Sequence, residues 1–493
     1  HIGSTLVDMY VKCGSLKDGL RIFYSLPEKD LVTWNVVIWG CAQHLLVKET
    51  LWFLGTLFRV GLEPDQVTLI SVLKVCASVK ILDEGKLIHA HLVENGYELV
   101  SPVSSSIIHM YIKCGRFDAA FNVFTRLPNR DLVSWSAITT EHGSQVGQTM
   151  MFSHLLLQMQ SNGVVPDVVT FVCILKACSG RGAFYEGKQV HALYVESVSE
   201  TDMNTSVGNT LIDMYFRCGS FEDAYNIFRR LKNRDLVTWN TLIGGYAQQG
   251  HGHVALNCFF RMQVECVSPN VITFISILKA CGSVAAIKEG KTIHNQIINT
   301  CLFEEDVVLG TAVVDMYAKC GALVKAQKVH DELCVRDVVS WSALITGYAQ
   351  QGQGHEALNC FQWMRDEGIA ANVVTFLCVL KACGGIRAIQ KGKEVHDEIV
   401  CRGLEEKNNS LVVALVDMYA KCGELAEAYQ VLQSLPVRNV ISWNALITGY
   451  TQQGQGNEAL NCFNQMKNDH LSPDAVTFTC ILKACGSTGA IDK

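Results

Sequence analysis

The chain has 493 residues, of which 49% are hydrophobic and only 8 are proline, and its formal net charge at pH 7 is −6. This composition excludes a disordered chain, because disordered segments are poor in apolar residues and rich in proline and charge. No apolar run approaches the roughly 20 residues of a membrane-spanning helix, so we expect a soluble protein without a membrane partner. The acidic balance also argues against binding of nucleic acid through charge alone.

One short string returns five times along the chain. It reads Leu31-Val-Thr-Trp-Asn35 at its first occurrence and Val440-Ile-Ser-Trp-Asn444 at its last. The tryptophans in it are spaced by 101, 104, 102 and 102 residues, and they are Trp34, Trp135, Trp239, Trp341 and Trp443. A period this steady predicts an array of units that bury their surfaces against their neighbours. We interpret the tryptophan as a packing residue that sets the register.

Each period divides into three units, of which the first is clearest at residues 338–372. Its first half carries an apolar stripe at i, i+3, i+4 and i+7, which predicts a helix and consists of Trp341, Leu344, Ile345 and Tyr348. Gly352 and Gly354 predict a break. A second stripe follows, made of Ala357, Leu358, Phe361 and Met364. The unit is therefore predicted to be a helix–turn–helix hairpin.

Two related units complete the period. The second, residues 373–408, contains Leu380-Lys-Ala-Cys383, and the shorter third, residues 409–439, contains Val416-Asp-Met-Tyr-Ala-Lys-Cys-Gly423. We predict an all-α fold, a right-handed α-solenoid superhelix of stacked hairpins in one array over residues 1–493. Its predicted segments are a short unit at 1–30, triplets at 31–131, 132–235, 236–337 and 338–439, a first-type unit at 440–474 and a truncated long unit at 475–493. Departures from the pattern at 36–58 and 138–143 predict locally irregular stacking.

Catalytic and metal-binding patterns are weak. Most of the 21 cysteines recur with the period and no Cys-x-x-Cys occurs, so we expect reduced packing cysteines and no metal. His330-Asp-Glu332 and His396-Asp-Glu398 lack the Pro-Cys-x-x-Cys partner of zinc deaminases. No Gly-Lys-Ser/Thr phosphate loop appears. The segment is predicted not to be an enzyme, with no catalytic residue and no cofactor.

A 35-residue hairpin that begins Val-Val-Ser-Trp and ends in Asp or Asn resembles the pentatricopeptide repeat. Its alternation with the Leu-Lys-Ala-Cys and Met-Tyr-Ala-Lys-Cys-Gly units is similar to the land-plant P-L-S subclass, whose units are called P, L and S. The tetratricopeptide repeat, its structural rival, has a different signature. The resemblance implies sequence-specific binding of single-stranded RNA, one base per repeat, read by the fifth and last residues of a repeat.

Side-chain chemistry then gives a base preference for each pair. Asn at the fifth position suits a pyrimidine and Ser or Thr a purine, while a last-position Asp accepts from the ring N–H of U or G and Asn favours C or A. The pairs are Ser4/Asp30 (G), Asn35/Asp65 (U), Ser105/Asp131 (G), Ser136/Asp167 (G), Asn209/Asp235 (U), Asn240/Asn270 (C), Thr311/Asp337 (G), Ser342/Asn372 (A) and Asn444/Asp474 (U). No base is assigned where the fifth residue is apolar, at Ile70, Val172, Ile275, Leu377 and Val413.

Two further sets of residues are candidates for RNA contacts. The second residues of the P units are predicted to clamp the base faces, with ordinary packing as the alternative; they are Val32, Val133, Val237, Val339 and Ile441. A cation recurs near the end of the first helix of the S units and is a candidate phosphate contact, with interaction with the helix dipole as the alternative. This row consists of Lys12, Lys113, Arg217, Lys319 and Lys421.

The resemblance further implies the targeting array of an organellar C-to-U RNA-editing factor, located in a mitochondrion or chloroplast. Its partners would be single-stranded organellar RNA and editing-complex proteins, with no DNA. A deaminase-like domain of the DYW type follows many such arrays, and none lies within these residues. Two alternatives stay open: an RNA-binding protein for transcript stabilisation, splicing or translation, and a protein-binding solenoid scaffold.

Overall fold

The computed structural model describes residues 2–98, 100–127, 159, 166–197, 203–300, 306–404, 408–435 and 438–488. This part of the chain contains 27 helices and no strand, so the predicted all-α class is confirmed. The contacts divide the chain into two compact units, His1–Leu242 and Ile243–Lys493. Each unit is a stack of helical hairpins, as expected for a repeat solenoid.

The first unit contains twelve of the described helices and most of a thirteenth. They are α1 (Ile2–Lys12), α2 (Leu16–Ser25), α3 (Leu31–Gln43), α4 (Val47–Arg59), α5 (Gln66–Val79), α6 (Leu82–Glu94), α7 (Ser101–Lys113), α8 (Phe117–Arg126), α9 (Val168–Arg181), α10 (Phe184–Ser197), α11 (Thr205–Arg217), α12 (Phe221–Arg230) and α13 (Leu236–Gln248). Odd-numbered helices are the first helices of their repeats and even-numbered ones the second.

The second unit contains the fourteen remaining helices that the structure describes. They are α14 (Gly252–Val264), α15 (Val271–Ser283), α16 (Ile287–Asn299), α17 (Val307–Lys319), α18 (Leu323–Glu332), α19 (Val338–Gln350), α20 (Gly354–Asp366), α21 (Val373–Ile386), α22 (Ile389–Cys401), α23 (Asn409–Cys422), α24 (Leu425–Ser434), α25 (Val440–Gln452), α26 (Gly456–Asn468) and α27 (Ala475–Thr488).

First helices of successive repeats pack side by side and form one layer. In the second unit this layer runs from α17 through α19, α21, α23 and α25 to α27, and in the first unit from α1 through α3 and α5 to α7. Second helices pack on their own first helix and on the first helix of the next repeat, as α20 does on α19 and α21. The first-helix layer therefore carries the second, fifth and last residues of each repeat on neighbouring turns.

The repeat tryptophans lie in the core, which confirms their packing role. Trp34, Trp239, Trp341 and Trp443 are all buried. The indole N–H of Trp341 donates to Glu367 at 3.0 Å, and that of Trp443 donates to Asp469 at 3.1 Å. The string that recurs along the chain is thus fixed mainly by burial of its aromatic residue.

The glycines between the two helices of a P unit have different tasks. Gly352 lies in the turn with φ +74°, as predicted for a helix break. Gly354, predicted to break the helix as well, instead begins α20, and a Cβ there would lie 3.2 Å from Ala382 O and 2.5 Å from Ile386 Cγ2. The expectation for Gly354 was wrong because close approach of the next helix, and not chain reversal, requires the glycine.

The signature strings of the L and S units pack against each other. A Cβ on Gly392 would lie 2.5 Å from Met418 Sδ, and His396 Nδ1 lies 2.8 Å from the Tyr419 hydroxyl. Cys422 Sγ donates to the carbonyl of buried Cys383 at 3.8 Å. Equivalent glycine–methionine contacts occur at Gly85/Met110, Gly187/Met214 and Gly290/Met316. These strings recur because the same type of interface is repeated along this chain.

The cysteines behave as packing residues. Every cysteine in the described ranges is a free thiol. Burial raises the pKa of the Cys281 and Cys383 thiols to about 12, so both are protonated and unreactive at neutral pH. Residues 36–58 lie in α3 and α4, each a helix of 13 residues, so the helices themselves are regular there, and irregular stacking stays a prediction. Residues 138–143 and Trp135 lie outside the described part of the chain.

Candidate nucleic-acid interface

The structure brings the predicted fifth and last residues into contact in several of the described P and S units. Asn35 Nδ2 donates to Asp65 Oδ2 at 2.8 Å, and Asn444 Nδ2 donates to Asp474 Oδ1 at 2.9 Å. In the first S unit Ser4 Oγ donates to Asp30 Oδ1 at 3.5 Å. Residues 26 or 30 positions apart thus form adjacent polar pairs on the first-helix layer.

The last residue of each described P and S repeat also caps the next helix. Its Oδ1 accepts from the backbone N–H three residues later at 2.8–3.1 Å. Nine described residues do so: Asp30, Asp65, Asp167, Asp235, Asn270, Asp337, Asn372, Asn439 and Asp474. Capping by Oδ1 fixes the side chain. The second terminal atom is then Oδ2 in aspartate, an acceptor, and Nδ2 in asparagine, a donor.

Hydrogen bonds keep several of these aspartates ionised. The Thr477 backbone N–H and the Asn444 amide lower the pKa of Asp474 below its usual value. The Thr33 hydroxyl and backbone N–H do the same to the pKa of Asp30. Burial raises the pKa of Asp235, but hydrogen bonds from Thr238 and Asn209 outweigh it and the pKa is lowered. At neutral pH each of these carboxylates can therefore accept hydrogen bonds but cannot donate them.

A third polar residue, which the sequence reasoning missed, completes the site. The third residue of the following repeat is a buried Thr or Ser. The hydroxyl of Thr477 donates to Asn444 Oδ1 at 2.6 Å, that of Thr68 donates to Asn35 Oδ1, and that of Thr375 lies 2.7 Å from Ser342 Oγ. The signal was present at the start of the P and L units, where the second residue is always Val or Ile and the third is always Thr or Ser.

This third residue determines which way the asparagine amide points. Asn444 Oδ1 accepts from Thr477, so its Nδ2 faces Asp474 and cannot exchange places with the oxygen without bringing two acceptors together. Not every repeat has the contact: Thr238 Oγ1 bonds to Asp235 at 2.8 Å, and Asn209 Oδ1 is buried without a partner. Thr311 Oγ1 is likewise buried and unpartnered.

The predicted clamp residues are exposed, which disfavours packing as their role. Val32, Val237, Val339 and Ile441 expose 54–66% of their surface. The same position is exposed in other units, where sequence reasoning did not mark it, at Val67, Val169, Ile272, Val308, Val374 and Val476. Exposed β-branched residues therefore occupy the second position of every described P and L unit, where they provide apolar contacts on the first-helix layer.

The candidate phosphate-binding row is held in ion pairs. Lys12, Lys319 and Lys421 contact the aspartate four residues earlier at 2.6–2.7 Å, and Arg217 contacts Asp213 at 3.1 Å. Each pair is partly exposed, so it contributes little stability and can open at small cost. Lys113 ends α7 in the equivalent place. Asp131, Val133 and Ser136 lie outside the described residues.

In the described part of the chain, no group of histidine, cysteine and carboxylate side chains could hold a metal ion. None of its helices is both long and apolar enough to cross a bilayer. The recurring histidines of the L units pack on tyrosines of the S units, as at His89, whose Nδ1 lies 2.8 Å from the Tyr111 hydroxyl.

Fold and site together define a helical-repeat protein that presents polar pairs on the first-helix layer of several of its described P and S hairpins. The PPR repeat family matches residues 234–283, 336–385 and 438–487, and the PPR repeat matches residues 4–31, 32–62, 103–132, 209–236 and 412–440. A chloroplastic pentatricopeptide repeat-containing protein of Arabidopsis thaliana is 33% identical over 99% of this chain and 78% of its own length. The chain belongs to the pentatricopeptide repeat family.

Further relatives differ in length and compartment. A mitochondrial pentatricopeptide repeat-containing protein of Arabidopsis thaliana is 31% identical over 99% of this chain, which spans 56% of that relative. The crystal structure of the maize pentatricopeptide repeat protein PPR10 superposes with a TM-score of 0.71 at 18% identity, covering 99% of this chain and 76% of that one. The crystal structure of PPR10 in complex with an 18-nt psaJ RNA element superposes with a TM-score of 0.63 at 17% identity, covering 98% of this chain and 81% of that one.

Proposed function

We propose that the chain binds single-stranded RNA in a sequence-specific manner, with one base at each repeat. The observation that carries the proposal is the recurring contact between the fifth and last side chains, as between Asn444 and Asp474. The exposed valine series beside these pairs offers apolar contacts for the base faces. A maize protein of this fold, PPR10, has been crystallised in complex with an 18-nt RNA element, which supports the same use of the fold here.

The orientation of the last residue supplies the chemistry of base selection. Because the helix cap occupies Oδ1 of Asp474 or Asn372, the base meets Oδ2 in the first case and Nδ2 in the second. An acceptor matches the ring N–H of U and G, whereas a donor matches the unprotonated ring nitrogen of C and A. The fifth residue then separates pyrimidine from purine by its size.

Read from the N-terminus to the C-terminus, the pairs give 5′-G-U-n-G-G-n-U-C-n-G-A-n-n-U-3′, where n marks an unassigned base. The unassigned bases fall at the L units and at Val413. The L units recur at every third position, which supports assignment to the P-L-S subclass. On this basis we propose that the chain is the targeting array of a C-to-U RNA-editing factor in a chloroplast or mitochondrion.

Binding to this 14-nucleotide RNA tests the proposal. We expect it to bind at least about tenfold more tightly than a scrambled RNA of equal composition at the same salt concentration. Equal binding of both RNAs would exclude base reading. Absence of RNA binding, together with capture of a protein partner, would support the scaffold alternative instead. The measurement is a fluorescence anisotropy titration at fixed ionic strength.

A further inference from the structure

We infer that the L units hold the RNA backbone through a row of unpaired lysines, an inference that rests on the proposed RNA binding. The row lies in the recurring Leu-Lys-Ala/Val-Cys string of the first helix, and it consists of Lys74, Lys176, Lys279, Lys381 and Lys483. All five lysines are exposed. Two lie in the first unit and three in the second.

The helix geometry places these lysines on the same face as the RNA-contacting positions. In α21, Val374, Leu377 and Lys381 are spaced i, i+3 and i+7, so they share one side of the helix. The opposite side is buried, with Phe376 and Leu380 in the core. The exposed Val374 marks the outward face. Lys381 therefore lies on the helix face that carries Val374, the exposed second residue, and is two turns closer to the C-terminal end of the helix.

The charges of the row are not neutralised by the protein. Within the described residues no carboxylate lies within ion-pair distance of any of the five lysines. In contrast, Lys12, Lys319, Lys421 and Arg217 of the S units each have an aspartate one turn earlier. An unpaired ammonium releases counterions when it meets a phosphate, whereas a paired one must first give up its partner.

The L units lack the means to read a base by hydrogen bonding. Their fifth residues are apolar and half-buried, as are Ile70, Ile275 and Leu377. A repeat that offers no polar pair but carries a free cation is suited to the phosphodiester backbone, which is the same in every sequence. Each L unit would thus contribute one phosphate contact for every three nucleotides. The acidic net charge of the chain does not oppose this local arrangement.

The salt dependence of RNA binding tests the inference. The slope of log K against log salt is negative, and each lost phosphate contact on a single strand makes it shallower by about 0.7. A variant with glutamine at Lys74, Lys176, Lys279 and Lys381 should therefore have a slope shallower by about 3. A single Lys381→Gln change should make the slope shallower by about 0.7. Base preference at the P and S units should not change. Replacing the same four lysines with arginine should retain the slope.

A matched control lies in the second helices of the same L units. Lys86, Lys188, Lys291 and Lys393 are on the other helix layer, and their replacement with glutamine changes the net charge equally. The lysine row has no role if the glutamine variant of the first-helix lysines shows the same slope as the glutamine variant of the second-helix lysines while the wild-type chain still prefers its predicted RNA. In that case the proposed function stands. If the wild-type chain shows no preference among RNAs, the proposed function itself fails.

Discussion

The residue that ends each repeat has two tasks at once. Asp474 caps α27 through Oδ1, which accepts from the Thr477 N–H at 2.8 Å, and it contacts the fifth residue Asn444. Asp and Asn are common helix caps, and the same residue is the proposed base reader. The structure makes the two roles compatible, because capping fixes the side chain and determines which atom is left for a base.

The hydroxyl at the third position should affect base discrimination through the fifth residue. In Thr477→Val the oxygen of the Asn444 amide loses its hydrogen bond, and only the contact with Asp474 still orients the amide. A rotated amide, whose oxygen can accept from the amino group of C, then becomes more accessible. We expect the preference for U over C at this position to fall about 3- to 10-fold. Affinities for four RNAs that differ only at this base measure the effect.

Two further variants separate orientation of the amide from a general structural effect. Thr477→Ser keeps the hydroxyl and should keep the preference for U. Thr238→Val removes an equally buried hydroxyl that contacts Asp235 and not the fifth residue, so the preference at that repeat should change less. An equal loss in Thr477→Val and Thr238→Val would show that the contact with Asn444 does not matter.

At the scale of elements, glycines set how closely successive hairpins approach. A Cβ on Gly252, the first residue of α14, would lie 2.7 Å from Ala280 O and 2.7 Å from Val284 Cγ1. Because a backbone oxygen cannot move aside as a flexible side chain can, α14 and α15 would have to separate. The small residue at this point is thus part of the interface between P and L hairpins.

Two alanine substitutions should have opposite effects on stability. Gly252→Ala should destabilise the chain by about 1–3 kcal/mol through overpacking. Gly55→Ala, inside α4 where no atom lies within 4 Å of the added Cβ, should stabilise it by up to about 1 kcal/mol through helix propensity. Urea unfolding measures both. A neutral or stabilising Gly252→Ala would contradict the close approach.

The interfaces between L and S hairpins make the stability of the chain pH-dependent. Burial lowers the pKa of His89, His191 and His294 below their usual value. The unfolded chain therefore binds more protons than the folded one just below the ordinary histidine pKa of about 6.5. The free energy of unfolding should have its full value above this pH and should decrease as the pH is lowered through it.

Urea unfolding between pH 7.5 and 5 checks this expectation. The free energy of unfolding should decrease over that range in the wild-type chain. Replacing His89, His191 and His294 with glutamine should make the dependence shallower, because glutamine does not titrate. An unchanged pH dependence in the triple variant would show that these three histidines are not responsible.

At the scale of the whole molecule, the period and its residue types made the architecture predictable. Burial of the tryptophans and the alternation of hairpins follow from apolar spacing alone. The sequence could not show that Thr477 contacts Asn444, because that contact crosses from one repeat to the next. In contrast, the ion pair between Lys421 and Asp417 joins residues four apart in one helix, so its spacing is visible in the sequence.

The central claim is that the last residue of a repeat selects the base through the atom left outside the helix cap. Asp474→Asn tests this claim most directly, since Oδ1 can still cap α27 while Oδ2 becomes a donor. We predict that the base preferred at this position changes from U to C by about tenfold, with unchanged thermal stability and unchanged preferences at other repeats. An unchanged preference for U in the folded variant would contradict the account.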